Sequence, residues 1–209
     1  MSNYQLIVYG ATSFVGQLLT RYLFERHGVN GDLQWAIAGR SQSKLNELRQ
    51  SLGSAAQALP IVLADAADEA ALTAMCQQTK VVVSTVGPYV LYGSTLVKVC
   101  AHTGTDYCDL TGEPQWIAQM IEQYEATAQK NGARIVHCCG FDSIPSDLGT
   151  YYLQQQANQQ FGQACLVADI MDERDQIIAQ FGGNGVQRGL VGSVANSDTV
   201  SKIGLMYCQ

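Results

Sequence analysis

A chain of 209 residues with 47% hydrophobic and 14% charged residues is long enough to bury a core and too apolar for intrinsic disorder. Lys and Arg number 12 against 18 Asp and Glu, a net charge of −6 with a pI near 4.9, and no basic cluster offers the footprint of a nucleic-acid binder. The cysteines at 76, 100, 108, 138, 139, 165 and 208 form no C-x-x-C pair and no zinc spacing, which suits buried thiols in a reducing cytosol and a cytoplasmic location.

The opening stretch MSNYQLIVYG has neither a basic n-region nor a long apolar h-region, so no signal peptide is expected. In chain order, Leu6–Tyr9 predicts a first strand. It runs into a helical pattern over Phe14–His27, whose apolar residues Phe14, Val15, Leu18, Leu19, Tyr22 and Leu23 recur at helical spacing, with Gly28 as the stop. A second strand is expected over Leu33–Ala38, followed by Gly39–Arg40 and a helix carrying Leu45, Leu48 and Leu52. A third strand, Ile61–Ala64, precedes Asp68, an N-cap for a helix over Glu69–Gln78. The β-branched run Val81–Val86 reads as a central parallel strand covered on both faces. The wider apolar stretch Val81–Val97 is broken by Gly87, Pro88 and Gly93 and is too short for a transmembrane segment.

A helix near Ser94–His102, a strand Tyr107–Leu110 and a long helix from Pro114 to Lys130 follow. Ile117, Met120, Ile121, Tyr124 and Ala128 form a stripe for core packing on that helix, and Arg134–Cys138 reads as one more strand. The β-α-β-α order predicts an α/β fold with a doubly wound parallel sheet over residues 1–150. From Gln154 the chain turns glutamine-rich, then offers hairpin strands at Cys165–Met171 and Gln176–Phe181 and six glycines between Gly182 and Gly204. Residues 151–209 therefore read as a linker helix and a partial, β-rich piece of a substrate domain, or as sheet shared with a second copy in a homodimer.

The first strand passes directly into Gly10-Ala11-Thr12-Ser13-Phe14-Val15-Gly16 and a helix, the context that makes a glycine-spaced loop a dinucleotide site in a Rossmann-like sheet. Gly10 allows the tight turn and Gly16 the close packing of helix on sheet. The amides of Phe14 and Val15, with the helix dipole, favour a pyrophosphate. Ser13 stands where a glycine is common; a left-handed backbone there would be strained, and a hydroxyl bonded to phosphate would offset the cost.

At the end of the second strand, Ala38-Gly39-Arg40-Ser41 is followed by Lys44, and no Asp or Glu occurs from Gln34 to Asn46. An acid would select a ribose 2′-OH; Arg40, Ser41 and Lys44 instead suit a 2′-phosphate, which predicts NADP(H). Asp65 falls where the adenine edge would rest, or is a solvated loop residue. Val86, Gly87 and Pro88 leave the fourth strand toward the nicotinamide ribose, with Tyr89 beyond them either near the nicotinamide or simply packed.

No tyrosine has Lys four positions later and no G-x-S-x-G elbow exists, so neither the short-chain dehydrogenase nor the serine hydrolase pattern is present. His137-Cys138-Cys139 reads as buried strand. Asp109, Glu113, Asp142 and Asp147 fall at the ligand-binding edge, as acids that serve either chemistry or loop anchoring, and no residue is assigned to catalysis.

GATSFVG (10–16), AGRS (38–41), STVGPY (84–89), CDLTGE (108–113) and CGFDSIPSDLG (139–149) resemble the NADP-binding domain of the saccharopine dehydrogenase-like oxidoreductases over roughly residues 4–165. The likeness is strongest to the branch that includes trans-acting enoyl reductases of lipid biosynthesis. It implies an NADP-dependent oxidoreductase, an enoyl or imine reductase acting on a small lipid or amino-acid-derived substrate. Two departures stand out: Ser13, and a chain ending at Gln209 where family members continue through a substrate domain. They give a second expectation, an NADP-binding module without turnover of its own.

Overall fold

The computed structural model describes residues 3–29, 31–161, 168–171 and 177–181. The chain divides into compact units between His137 and Cys138. In the first unit, strand β1 (Tyr4–Tyr9) leads to helix α1 (Phe14–His27), β2 (Trp35–Gly39) to α2 (Gln42–Ser51), and β3 (Ile61–Leu63) to α3 (Glu69–Cys76). Strand β4 (Thr79–Ser84) is followed by the short helix α4 (Tyr89–Tyr92) and by α5 (Ser94–Thr103); β5 (Asp106–Asp109), α6 (Pro114–Asn131) and β6 (Ile135–Val136) complete the unit.

The strands form one six-stranded sheet in the order β3-β2-β1-β4-β5-β6. Every pairing is parallel. Chain order runs outward from β1 in one direction and from β4 in the other. Right-handed crossovers therefore place helices on both faces and leave a crevice at the switch between β1 and β4. On one face Val8 and Ile37 pack with Leu23, Leu45 and Leu48 of α1 and α2. The second helix layer sets α5 beside α3 and α6, where the fully buried Cys76 and Cys100 meet with their sulfurs 3.7 Å apart.

The expected elements are all present, and their caps follow from the sequence. Asp68 accepts the Ala71 amide to cap α3, and the Gly28 amide closes α1 on Phe24 O with φ +63 at the glycine. Boundaries move by one to three residues where strand patterns shade into loops. Helix α1 corrects a reading of periodicity: Phe14, Leu18 and Tyr22 are exposed, and the buried side is Gly16, Thr20 and Leu23. Small residues at the first two of these positions bring the helix close to the sheet, while Leu19, Leu23 and Phe24 pack on the core and Phe14, Leu18 and Tyr22 face outward.

In the second unit, α7 (Ile144–Phe161) spans the expected boundary near residue 150, and β7 (Ala168–Met171) pairs antiparallel with β8 (Ile177–Phe181), the anticipated hairpin. Among the described cysteines, Cys139 is exposed, against the expectation of burial, and Cys108 is half-buried; Cys165 and Cys208 lie outside the described residues. No described helix is long and apolar enough to cross a membrane.

Thr20 is completely buried, and its Oγ1 has no hydrogen-bond partner among the described residues. Replacing an unsatisfied hydroxyl with a methyl removes a desolvation cost, so Thr20→Val should stabilise the fold by about 1 kcal/mol and raise Tm by about 2–4 °C. Differential scanning calorimetry of both proteins checks this; a lower Tm would mean that the hydroxyl is satisfied.

Candidate cofactor site

The connection from β1 to α1 is shaped by contacts that only glycine permits. Gly10 has φ +83, and a Cβ there would lie 2.5 Å from Val86 Cγ2 and 2.9 Å from Thr85 Oγ1. A Cβ on Gly16 would lie 2.2 Å from the Gly10 carbonyl oxygen. The loop, the first turn of α1 and the end of β4 thus touch at backbone distance.

Ser13 does not take the left-handed backbone that its sequence position raises. Its backbone is extended (φ −68, ψ 166), so no left-handed strain arises. Its hydroxyl accepts the Gly16 amide at 2.9 Å as the N-cap of α1 and donates to Thr85 Oγ1 at 3.0 Å. Thr85 Oγ1 in turn donates to Gly10 O at 2.9 Å, with Tyr9 O 3.2 Å away. The half-buried Thr12 is fixed through its carbonyl, which accepts from Gln17 Nε2. With Ser13 serving Gly16, the amides of Phe14 and Val15 have no partner among the described residues. They form the open positive end of α1.

Arg40 follows β2 directly and is exposed; Lys44, in the first turn of α2, is exposed as well. Ser41 is the N-cap of α2, its Oγ taking the Lys44 amide at 3.4 Å. Asp65, just past β3, accepts the Ala67 amide at 2.9 Å and so shapes its own turn. Tyr9, which the sequence pattern did not single out, connects these groups. Burial and the Asp65 charge push its phenol well above the usual range, and the Arg40 guanidinium opposes them. Arg40 and Asp65 therefore both act electrostatically on Tyr9.

Beyond β4, Val86 is half-buried and Gly87 and Pro88 are exposed, joined by a cis peptide bond. Tyr89 takes the packing alternative: its ring is buried against Trp116, and its hydroxyl donates to Ser84 O at 3.0 Å. Glu113 reaches across from the β5–α6 loop, with Oε1 accepting the Tyr89 amide at 2.7 Å and Oε2 the Val90 amide at 2.8 Å. Asp109 is buried, its Oδ2 accepting from Tyr107 Oη at 2.9 Å and meeting His137 Nδ1 at 2.7 Å, while Oδ1 takes the Thr111 amide. These acids hold the fold around the site. In the second unit, Asp142 is exposed and Asp147 lies in the first turn of α7. Thr85 and Tyr9 are what sequence reasoning left out of the site; STVGPY contains the first without giving its partners, and Glu113, read from sequence as either chemical or anchoring, has backbone amides as its partners. Among the described residues, no His, Cys, Asp or Glu group is placed to hold a metal ion.

A parallel α/β sheet with a glycine-shaped loop, two open helix amides at the switch point and cations at the end of the neighbouring strand defines a dinucleotide-binding domain. The model of the saccharopine dehydrogenase NADP binding domain matches residues 6–136, and the chain belongs to that family. NADP is accordingly its cofactor. A Mycobacterium tuberculosis (H37Rv) protein that carries the provisional name trans-acting enoyl reductase is 48% identical over 157 residues, 75% of this chain and 37% of that protein. The trans-acting enoyl reductase of Mycobacterium leprae is 37% identical over 196 residues, covering 93% of this chain and 44% of that one. A lipid droplet localized protein of Caenorhabditis elegans is 40% identical over 159 residues, 74% of this chain and 37% of its own length. The chain thus spans less than half the length of these relatives. In fold it is similar to apo saccharopine dehydrogenase (L-Glu forming) of Saccharomyces cerevisiae, with TM-score 0.60, 18% identity, and coverage of 75% of this chain and 32% of that one.

Gly16→Ala forces a methyl into the Gly10 carbonyl and should both destabilise the domain by about 1–3 kcal/mol and disturb the open Phe14 and Val15 amides. Thermal melts check it: NADPH at about 100 times its dissociation constant should add roughly 2.7 kcal/mol to the parent. That increment should shrink sharply in the variant.

Proposed function

We propose that this chain is the cofactor-holding part of an NADP-dependent oxidoreductase, an enoyl or imine reductase acting on a small lipid or amino-acid-derived substrate. The observation that carries the reading is the pair of open amides at Phe14 and Val15, set above a loop that Gly10 and Gly16 let lie flat against β4. Family membership and the relatives' names support the reaction class, and the lipid droplet relative supports a lipid substrate. The domain's task is to bind and orient. Gly10, Thr12, Ser13 and Gly16 shape the loop, and Phe14 and Val15 receive the pyrophosphate. Arg40, Ser41 and Lys44 hold the 2′-phosphate, Asp65 flanks the adenine, and Val86, Gly87 and Pro88 border the nicotinamide ribose. NADPH, when bound, supplies a hydride.

In the same reading, residues 151–209 are a linker helix and part of a substrate domain, with a homodimer contact through that segment and a cytoplasmic location. The acidic pI and absence of a basic cluster support a small-molecule partner over nucleic acid. Following 340 nm absorbance with NADPH and enoyl thioester or 2-oxo acid substrates tests the activity. Consumption dependent on one substrate class supports a reductase, and cofactor binding without consumption supports a module that needs further protein.

Arg40→Asp should reverse cofactor choice. Losing a charge-assisted contact costs about 1.5–3 kcal/mol, and the new carboxylate repels the 2′-phosphate while accepting from a 2′-OH. NADPH affinity should fall more than about tenfold while NADH affinity holds or improves. Raised salt should weaken NADPH binding to the parent more than NADH binding, because an exposed guanidinium is screened. Titrations of both cofactors at two ionic strengths measure this; an unchanged ratio would remove Arg40 from the site.

A further inference from the structure

The turn that leaves β4 is held in place from outside its own segment. Glu113 lies at the start of α6, one strand further along the sheet edge, and both of its carboxylate oxygens accept consecutive amides of Tyr89 and Val90. Its own backbone is fixed in turn, the Glu113 amide donating to Thr111 Oγ1 at 3.1 Å and the Thr111 amide to the buried Asp109. A separate contact fastens α6 to α5: Trp116 Nε1 donates to Ser94 Oγ at 2.9 Å, and its ring comes within 2.6 Å of where a Cβ on Gly93 would be. The aromatic contact secures the helices, whereas the carboxylate acts only on the amides that directly follow Gly87 and Pro88.

We propose that Glu113 is the positioning residue for the nicotinamide half of the cofactor, fixing the Gly87–Pro88 turn through the Tyr89 and Val90 amides. The proposal rests on the reading of the β4 turn as the nicotinamide side of an NADP site. A carboxylate suits the task because it has acceptors for two parallel N–H groups and no donor to oppose them. Alanine removes both acceptors. Glutamine keeps one and sets a donor against the other amide, so in either variant the Tyr89 and Val90 amides lose their paired acceptor, while the Tyr89 side chain stays held by Trp116 and Ser84 O and the Trp116–Ser94 contact remains.

The effect should be confined to one end of the cofactor. Adenosine 2′,5′-bisphosphate carries the 2′-phosphate and one phosphate for the loop but no nicotinamide, and it serves as the internal control. Isothermal titration of parent, Glu113→Ala and Glu113→Gln with NADPH and with the bisphosphate should show NADPH weakened by about tenfold in Ala and by a smaller or equal factor in Gln. Bisphosphate affinity should stay within about twofold, and bound NADPH should lose nicotinamide fluorescence relative to the parent. Unchanged NADPH affinity in both variants overturns the proposal. Equal loss of both ligands also overturns it, because Glu113 would then support the whole fold. A parent that binds the bisphosphate but gains nothing from the nicotinamide half removes the reading of the β4 turn, and this proposal with it. A parent that binds neither ligand refutes the cofactor site itself.

Discussion

Thr85 Oγ1 is the point on which the cofactor edge depends. At the switch between β1 and β4 the chain connections leave in opposite senses, and nothing in the sheet itself ties the two strand ends together beyond their last ladder bonds. A single hydroxyl supplies that tie. The Gly16 amide donates to Ser13 Oγ, Ser13 Oγ to Thr85 Oγ1, and Thr85 Oγ1 to the Gly10 carbonyl. Each member of such a chain polarises the next, so the loop, the helix start and the strand end set as one unit. The closeness that this requires explains both glycines, since a methyl at either would strike backbone or Thr85 itself.

Charge is distributed around the site by burial. Asp109 is buried and so needs partners, which it has in Tyr107, His137 and the Thr111 amide. Glu113 is committed to two backbone amides. The cations Arg40 and Lys44 are exposed, and the open amides of α1 add partial positive charge. The acids of an acidic protein are thus drawn into structural bonds at this edge, and what remains available to a ligand favours an anion.

The family match over residues 6–136 coincides with the first compact unit, which ends at His137. Fold and cofactor assignment therefore rest on that unit alone. The longer relatives carry more than twice the matched length.

The sequence by itself determined the element order, the parallel sheet and the tight glycine loop, because each is a local signal: a β-branched run, an Asp68 cap, glycines at fixed spacing between strand and helix. The Arg40-Ser41 end of β2 was legible for the same reason. Tertiary structure decided everything that depends on side chains meeting across the sheet. Helix α1 shows apolar residues at helical spacing, yet the face it buries is Gly16–Thr20–Leu23, because close approach to the sheet outranks hydrophobicity there. Ser13 carries no local sign that its hydroxyl donates to Thr85, 72 positions away. Glu113 carries no local sign that its carboxylate serves amides 23 and 24 residues earlier. Periodicity and caps act within a few residues of chain, whereas a hydrogen bond between distant segments exists only once packing has fixed both ends.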